Sequence, residues 1–462
     1  MNITIWSSKL CLLKLILLVT FSLFYHTSVN AEDSLFERGK QLVELREYEK
    51  ALKAFEFASK AGNLDSLTAL GVMYIGERAF DRLFKRHTTN GEVDRLRESF
   101  KLACLLHDIG HAPLSHSSES VMPPLKKLEI DRRYLPKRDR TGDLDRQATH
   151  EDYTVKFLID DHYHDAFKAV EERWGVKRSA VAALITGNLE CTSNSDYFAI
   201  EGIDYFPLLH QLVSSELDCD RMDYLMRDSY FCGVSYGHFD LDWLLDNLTV
   251  CIVDGKALLG ISERAVVTFD DFLLSRFHMF LQVYFHYRSV CLEQLLLKFF
   301  KTSQGEYQIP ADLHQYMKHD DHYLMSVLRS SSNPYAQAVV NNQIPPKVCE
   351  SFNQGQLAQL NKVRQYLEEE GVEYIHSSSQ GRLSRYYHDS QNYHPSILVV
   401  RSITGVKEAE YTDIFKATDL FEKFSQAHAV NRLHFDMESL NFSVRKKIMQ
   451  IISVRPVDGQ GE

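Results

Sequence analysis

Twelve residues, LLHDIGHAPLSH at 105–116, bring together side chains able to do chemistry: His107 and Asp108 side by side, then His111 and His116. A His-Asp pair at a helix end can offer imidazole nitrogen and carboxylate oxygen to one ion. Mixed N/O ligation of that kind suits Mn, Fe, Mg or Zn better than copper or an iron–sulfur cluster. Two ligands are too few, so a distant partner is needed. The best candidate stretch is SSELDCDRMDYLMRDSYFCGVSYG, residues 214–237, where Asp220, Asp223 and Asp228 alternate with Arg221, Tyr224 and Arg227. Carboxylates hold a cation, arginines neutralise phosphate oxygens, and a tyrosine stacks or hydrogen-bonds on a sugar. Helical spacing puts Asp220, Tyr224 and Arg227/Asp228 on one face. A third piece is ATHEDYTVKFLI, in which His150-Glu151 opens an amphipathic helix and supplies an imidazole able to give a proton to a leaving oxygen. Each piece alone has an ordinary alternative, a salt-bridged solvated helix face or an idle surface histidine. HDIGHAPLSH differs, because its polar residues punctuate an apolar run at fixed spacing.

The elements that must position these residues are predominantly helical. RLRESFKLACLL (95–106) sets Leu96, Phe100, Ala103 and Cys104 on one face and delivers the chain to His107. The basic stretch KKLEIDRRYLPKRDRTGDLDRQ (126–147) reads as a loop or lid, or as a solvated surface insertion. LTVCIVDGKALLGIS (248–262) carries two β-rich runs around Asp254-Gly255, a hairpin signal. Helices resume in the aromatic-rich stretch 270–300, whose rings suit a core or an oligomer interface. Beyond about residue 303 the pattern is mixed, and YHPSILVVRS suggests a strand in an α+β tail.

Composition bounds the answer. At 462 residues, 44% hydrophobic and 25% charged, the chain can bury a sizeable core, and disorder is not the expectation. A formal net charge of -11 gives no strong nucleic-acid signal. The eight cysteines show no CxxC pair and sit mostly among apolar neighbours, as buried hydrophobes in a reducing compartment do. The N-terminus disagrees. MNITIWSSKLCLLKLILLVTFSLFYHTSVNAED has a lysine-flanked start, a short apolar run and a small-residue Val29-Asn30-Ala31 end. That pattern favours a secretory signal over residues 1–31, and periplasmic or secreted placement, over a single membrane anchor.

Taken together, HDIGHAPLSH, Glu119, HEDYT and LDCDRMDYLMRDSYFCGVSYGHFD resemble the HD-domain phosphohydrolases, in particular their deoxynucleotide triphosphohydrolase (dGTPase-like) branch. The likeness continues through VVTFDDFLLSRFHMFLQVYFHYRSV and covers roughly residues 70–300. It implies a mainly α fold, an HD helical core holding a divalent metal, and a cytoplasmic setting that conflicts with the signal. Metal ligands implied are His107, Asp108 and Asp220. His111, His116, Glu119 and His150 match positions around the scissile α-phosphate, with His150 or His116 as acid–base or leaving-group residue. Arg221, Tyr224 and Asp228 match positions that contact phosphates and sugar. The implied reaction converts a dNTP to deoxynucleoside and triphosphate, in a homodimer or homotetramer, sometimes under allosteric nucleotide control.

The front of the chain departs from that pattern. YEKALKAFEFASKAGNLDSLTALGVMY, within residues 33–74, resembles one Sel1-like repeat, a helical module of protein contacts, where a solenoid needs at least three. An orphan helical pair packed on the next domain is the plainer alternative. The family's fourth metal ligand is a histidine upstream of an LGVMY-like string; here Thr68 stands at that position and Asp65 at the preceding arginine's. His87 follows Thr68 by 19 residues, about 28 Å along a continuous helix, and is no substitute. The reading is therefore a 33–74 Sel1-like front joined to an HD core over 75–300 that lost its first motif, then an α+β region over 301–462. The join accounts for the compartment conflict, because the signal belongs to the front and the cysteine pattern to the back. It also implies an impaired metal site. The rival readings are a catalytically inactive protein that binds nucleotide or a partner through the Sel1-like helices, and a fusion product with no selected role.

Overall fold

The computed structural model describes residues 64–87, 91–140, 142, 144–161, 164–303, 305–381, 396–401, 410–423 and 428–453. The signal segment and residues 33–63 of the Sel1-like segment lie outside the described residues, as does Cys11.

The architecture is mainly α with an α+β C-terminal part, as expected from the sequence. Helix α1 (Leu64–Leu83) packs on α2 (Gly91–Leu106). On α2, Leu96, Phe100, Ala103 and Cys104 are all buried, and Glu92 and Asp94 in the first turn complement the helix dipole. α3 (His150–Ile159) begins with a capping box, in which Asp152 accepts from the Thr149 backbone at 2.8 Å. α4 (His164–Trp174) leads into α5 (Arg178–Thr186), the most deeply buried helix of the site region. Its run Ala180–Leu184 is wholly buried, small enough to let α2, α3 and α6 (Phe206–Val213) close around it. α7 (Cys219–Cys232) is capped by Asp218, which accepts from the Arg221 N–H at 2.8 Å, and ends at Gly233 with φ 68°. It packs on α1.

A short pair, β1 (Ala199–Ile200) and β2 (Ile203–Asp204), follows α5. After α8 (Leu241–Asp246) the predicted hairpin forms as β3 (Leu248–Val253) and β4 (Lys256–Ser262), antiparallel, with Asp254 and Gly255 both at positive φ in the turn. α9 (Val266–Met279), a π-helical turn over Phe280–Tyr284, and α10 (Tyr287–Thr302) carry the aromatic-rich run. Phe269, Phe272, Phe277 and Phe299 from it are core residues.

The chain beyond residue 300 does two things. α11 (Asp321–Ser330) and α12 (Pro334–Val340) add Leu324, Leu328 and Ala336 to the main core. A smaller layer is built from β5 (Lys347–Ser351), α13 (Gln354–Glu369), β6 (Ile375–Gly381), β9 (His428–His434) and α14 (Phe442–Ser453). Its antiparallel strand order is β5-β9-β6, and its own core holds Leu360, Val363, Leu367, Leu433, Phe435, Val444 and Ile448. β7 (Leu398–Arg401) returns to pair in parallel with β4, and β8 (Glu410–Asp413) completes that first sheet.

The basic stretch 126–147 is not a free loop. Leu128, Ile130, Tyr134 and Leu135 are buried, and Arg146 bridges Asp139 and Asp152 at 2.7–2.9 Å. Periodicity misses this because the segment folds as short 3-10 turns and one four-residue α-helical turn. The seven described cysteines are free thiols, five of them buried. Among the described residues no helix is long and apolar enough to cross a membrane.

Candidate active site

The site is built where α2 stops. His107 and Asp108 lie just past its last residue, and the turn that follows is held by α3. The Thr154 hydroxyl donates to the His107 carbonyl and accepts from the Gly110 N–H, both at 3.0 Å. Gly110 allows this approach, because a Cβ there would fall 2.0 Å from the His150 carbonyl oxygen. From the far half of the chain, the Tyr316 hydroxyl donates to the Gly110 carbonyl at 2.6 Å. Asp321 accepts from the Leu114 N–H at 2.9 Å. Leu114 and Ser115 both adopt positive φ, 54° and 56°, a strained pair that these contacts hold in place.

Two clusters result. In the first, His107, Asp108 and Asp220 each offer one ligand atom, all within 4.8 Å of one another. His107 Nε2 lies 3.4 Å from Asp108 Oδ2 and 3.8 Å from Asp220 Oδ1. Its Nδ1 is 2.9 Å from the Cys104 carbonyl, which only accepts, so Nδ1 carries a proton and Nε2 faces the carboxylates. That Nε2 is buried and makes no hydrogen bond of ordinary length. Burial disfavours the imidazolium, yet Asp108 and Asp220 outweigh it and hold the pKa of His107 well above its ordinary value. An imidazole nitrogen facing two carboxylates holds a proton in that gap, and a divalent cation fits the same donor set by displacing it.

In the second cluster His111, His116 and His150 likewise lie within 4.8 Å of one another, and Glu119 anchors two of them. Glu119 Oε1 accepts from Nδ1 of His150 and, at 3.2 Å, from Nδ1 of His116. Burial opposes ionisation of Glu119, but these imidazoles hold its carboxyl well below the usual range. The two clusters meet at Asp108, whose Oδ1 is 3.5 Å from His111 Nε2. Against the cost of burial, His107 and His111 keep the Asp108 carboxylate ionised far below its ordinary pKa.

α7 supplies the remaining candidates. Asp220 reaches the first cluster from its first turn. Arg221 lies 3.4 Å from Asp218. Tyr224 packs edge-on against Tyr284 with ring centroids 6.3 Å apart, and burial pushes its phenol up to about 12. Asp228 is clamped, by Arg227 Nη1 at 3.1 Å and by the Tyr284 hydroxyl at 2.7 Å. Arg227 also pairs with Asp223 at 3.0 Å, so it braces α7 rather than reaching outward. Burial pushes Asp223 up to about 6, against the pull of Arg227. A Cβ at Gly71 would fall 2.1 Å from Asp223 Oδ1, so Gly71 is what lets α1 seat against α7. Thr68 lies one turn earlier on α1. His87 is engaged elsewhere, with Nε2 2.8 Å from the Tyr205 hydroxyl.

Thr154, Tyr284, Tyr316 and Asp321 were not visible as site residues in the sequence. Thr154, one helical turn after His150, could have been found from that spacing. The other three come from distant segments and carry no local signal.

No protein-family model matches the chain. It is similar to the Bacillus subtilis protein YwfO, 30% identical over 231 residues, 50% of this chain and 42% of that protein. It is also similar to a Dictyostelium discoideum homologue of deoxynucleoside triphosphate triphosphohydrolase SAMHD1, 26% identical over 170 residues, 36% of this chain and 27% of that one. In fold it resembles a phosphohydrolase from Bacteroides thetaiotaomicron, with TM-score 0.52 and 20% identity, across 80% of this chain and 86% of that one. The matches span less than half the length of these curated relatives. Among the relatives it resembles over part of its length are deoxynucleoside triphosphate triphosphohydrolases and an HD domain-containing protein of a mimivirus.

Proposed function

We propose that this chain is a metal-dependent phosphohydrolase that converts deoxynucleoside triphosphates to deoxynucleoside and triphosphate. The observation that carries the reading is the convergence of the buried His107 Nε2 with the Asp108 and Asp220 carboxylates, beside a cluster of three imidazoles. A divalent ion held by His107, Asp108 and Asp220 would polarise a phosphate oxygen and lower the pKa of water. His111, His116, His150 and Glu119 would then face the phosphate and its leaving oxygen, supplying positive charge and a proton. Arg221 would neutralise phosphate oxygens, while Tyr224 and the clamped Asp228 would take the sugar. The half-exposed Tyr230, Phe231 and Tyr236, on and after α7, support self-association.

A non-catalytic nucleotide- or protein-binding role is the alternative, supported by the resemblance that puts Thr68 where the family carries an imidazole ligand. A working export signal would also separate the protein from the cytosolic nucleotide pool. The deciding experiment incubates the full chain with Mn²⁺ and each dNTP and reads products by ³¹P NMR. Intact triphosphate supports the proposal; orthophosphate or pyrophosphate assigns a different phosphoester reaction; unchanged substrate that still binds assigns the binding role.

A further inference from the structure

The turn that carries His111 and His116 is bound along its length by residues of the segment 293–321. The Ile309 N–H donates to the Val121 carbonyl at 3.0 Å. The Ser117 hydroxyl donates to Glu293 Oε1 at 3.3 Å, and the Leu114 N–H donates to Asp321 Oδ1 at 2.9 Å. Asp321 is the contact at the bend itself. It stands in the first turn of α11 with only 6% of its surface exposed.

That bend has to be imposed. Leu114, at φ 54° and ψ 27°, and Ser115, at φ 56°, lie one after the other in the left-handed region, and neither is glycine. Their Cβ atoms crowd the following carbonyl there, so such a pair persists only where surrounding groups hold it. The bend sets both rings. The Ser115 hydroxyl lies 3.1 Å from His111 Nδ1, and Nε2 of the same ring faces Asp108 Oδ1 at 3.5 Å. The 3-10 turn Ser115–Val121 begins at the bend and brings His116 Nδ1 within 3.2 Å of Glu119.

We infer that Asp321 is a positioning residue, which holds the left-handed bend through the Leu114 N–H and so aims the His111 and His116 rings. The inference rests on the reading of those imidazoles as groups that face the phosphate. Asp321 acts on them through the backbone and the Ser115 hydroxyl. The turn of His107 and Asp108 has its own supports, Thr154 and Tyr316. Loss of Asp321 should therefore disturb the imidazoles and leave the first cluster in place. Asp321→Asn keeps an acceptor oxygen, and Asp321→Ala does not.

The test compares Asp321→Ala and Asp321→Asn with the parent, each as the full chain, by two readouts. NMR of ¹⁵N-histidine-labelled protein, assigned with His107→Gln, His111→Gln and His116→Gln, reports the rings directly and needs no turnover. The His111 and His116 signals should shift in Asp321→Ala, return in Asp321→Asn, and leave that of His107 in place. In Mn²⁺-dependent triphosphate release, Asp321→Ala should lower kcat about 10–100-fold, with KM and Mn²⁺ half-saturation unchanged and kcat recovered in Asp321→Asn. Unshifted His111 and His116 signals in a folded Asp321→Ala would overturn the inference. Equal losses in Asp321→Asn would assign the charge rather than the acceptor and overturn it too. A parent that releases no triphosphate, while the signals still shift, would overturn the assigned reaction and leave the positioning standing. Circular dichroism shows whether each variant has folded. Asp321→Glu, which keeps the charge but displaces the carboxylate by one methylene, should shift the same two signals where Asp321→Ala does not fold; unshifted signals there would count equally against the inference.

Discussion

The Tyr316 hydroxyl donates a 2.6 Å hydrogen bond to the carbonyl of Gly110, across 206 residues of sequence, and so ties the second half of the chain into the turn that carries His107 and Asp108. Together with Thr154 on the other side, it makes the site's geometry a property of the whole core rather than of one loop. The predictions below follow from contacts of that kind.

Gly110→Ala would drive a methyl group into the α3 backbone. Overpacking of this kind costs about 1–3 kcal/mol. The variant should unfold at lower urea concentration and bind Mn²⁺ more weakly than the parent. Tyr316→Phe removes one hydrogen bond, about 0.5–1.5 kcal/mol, and should show a smaller loss of the same kind. Urea titrations of the two variants beside the parent check the order; Gly110→Ala as stable as the parent would contradict the close approach.

Tyr284→Phe removes the hydroxyl that orients the Asp228 carboxylate. Hydrogen bonds to charged groups contribute about 1.5–3 kcal/mol, so KM for a dNTP should rise about tenfold or more. Because Asp228 is assigned to the sugar rather than the reacting phosphorus, kcat should change little. A large fall in kcat at constant KM would move Asp228 into the chemistry.

The smaller layer should contribute less stability on mild acidification. Burial, with the nearby charges of Arg432 and Lys347, holds His434 below its ordinary pKa, against the pull of the Pro345 carbonyl. Burial and Arg364 lower His376 in the same way. A histidine whose folded pKa is depressed binds its proton more readily when unfolded, so its contribution is present above about pH 6.5 and is lost as pH falls through the folded value. Because His107 and Asp223, whose folded pKa values are raised, act in the opposite sense, the test is a difference: relative to the parent, His434→Gln should gain in urea midpoint as pH falls from 8 to 5. A difference that does not change with pH would rule out His434 as a pH-sensitive group of the smaller layer.

Much of this site was legible because its chemistry is local. His107, Asp108, His111 and His116 fall within ten residues, and the helix face of Asp220, Tyr224 and Asp228 follows from 3.6-residue spacing. The hairpin at Asp254-Gly255 was legible for a similar reason, since both residues tolerate the positive φ that the turn demands. What the sequence hid was long-range. Nothing around Tyr316 or Asp321 marks them as supports, and the motif that contains Tyr284 does not single it out, because their partners are set by packing between distant segments. The basic stretch 126–147 misled because charge dominates its composition, while its buried Leu128, Ile130, Tyr134 and Leu135 follow neither a helical nor a strand period.

We propose, from the sequence resemblance, that Thr68 takes the place of an imidazole ligand, and this gives the most direct test of the central claim. The measurement is Mn²⁺-dependent triphosphate release from dNTPs by the full chain, by Asp220→Ala and by Thr68→His, run side by side. The account predicts no release from Asp220→Ala. From Thr68→His it predicts more release than the parent gives, with half-saturation at a Mn²⁺ concentration about 10–100-fold lower. Release that survives Asp220→Ala, or its absence from all three folded proteins, would contradict it.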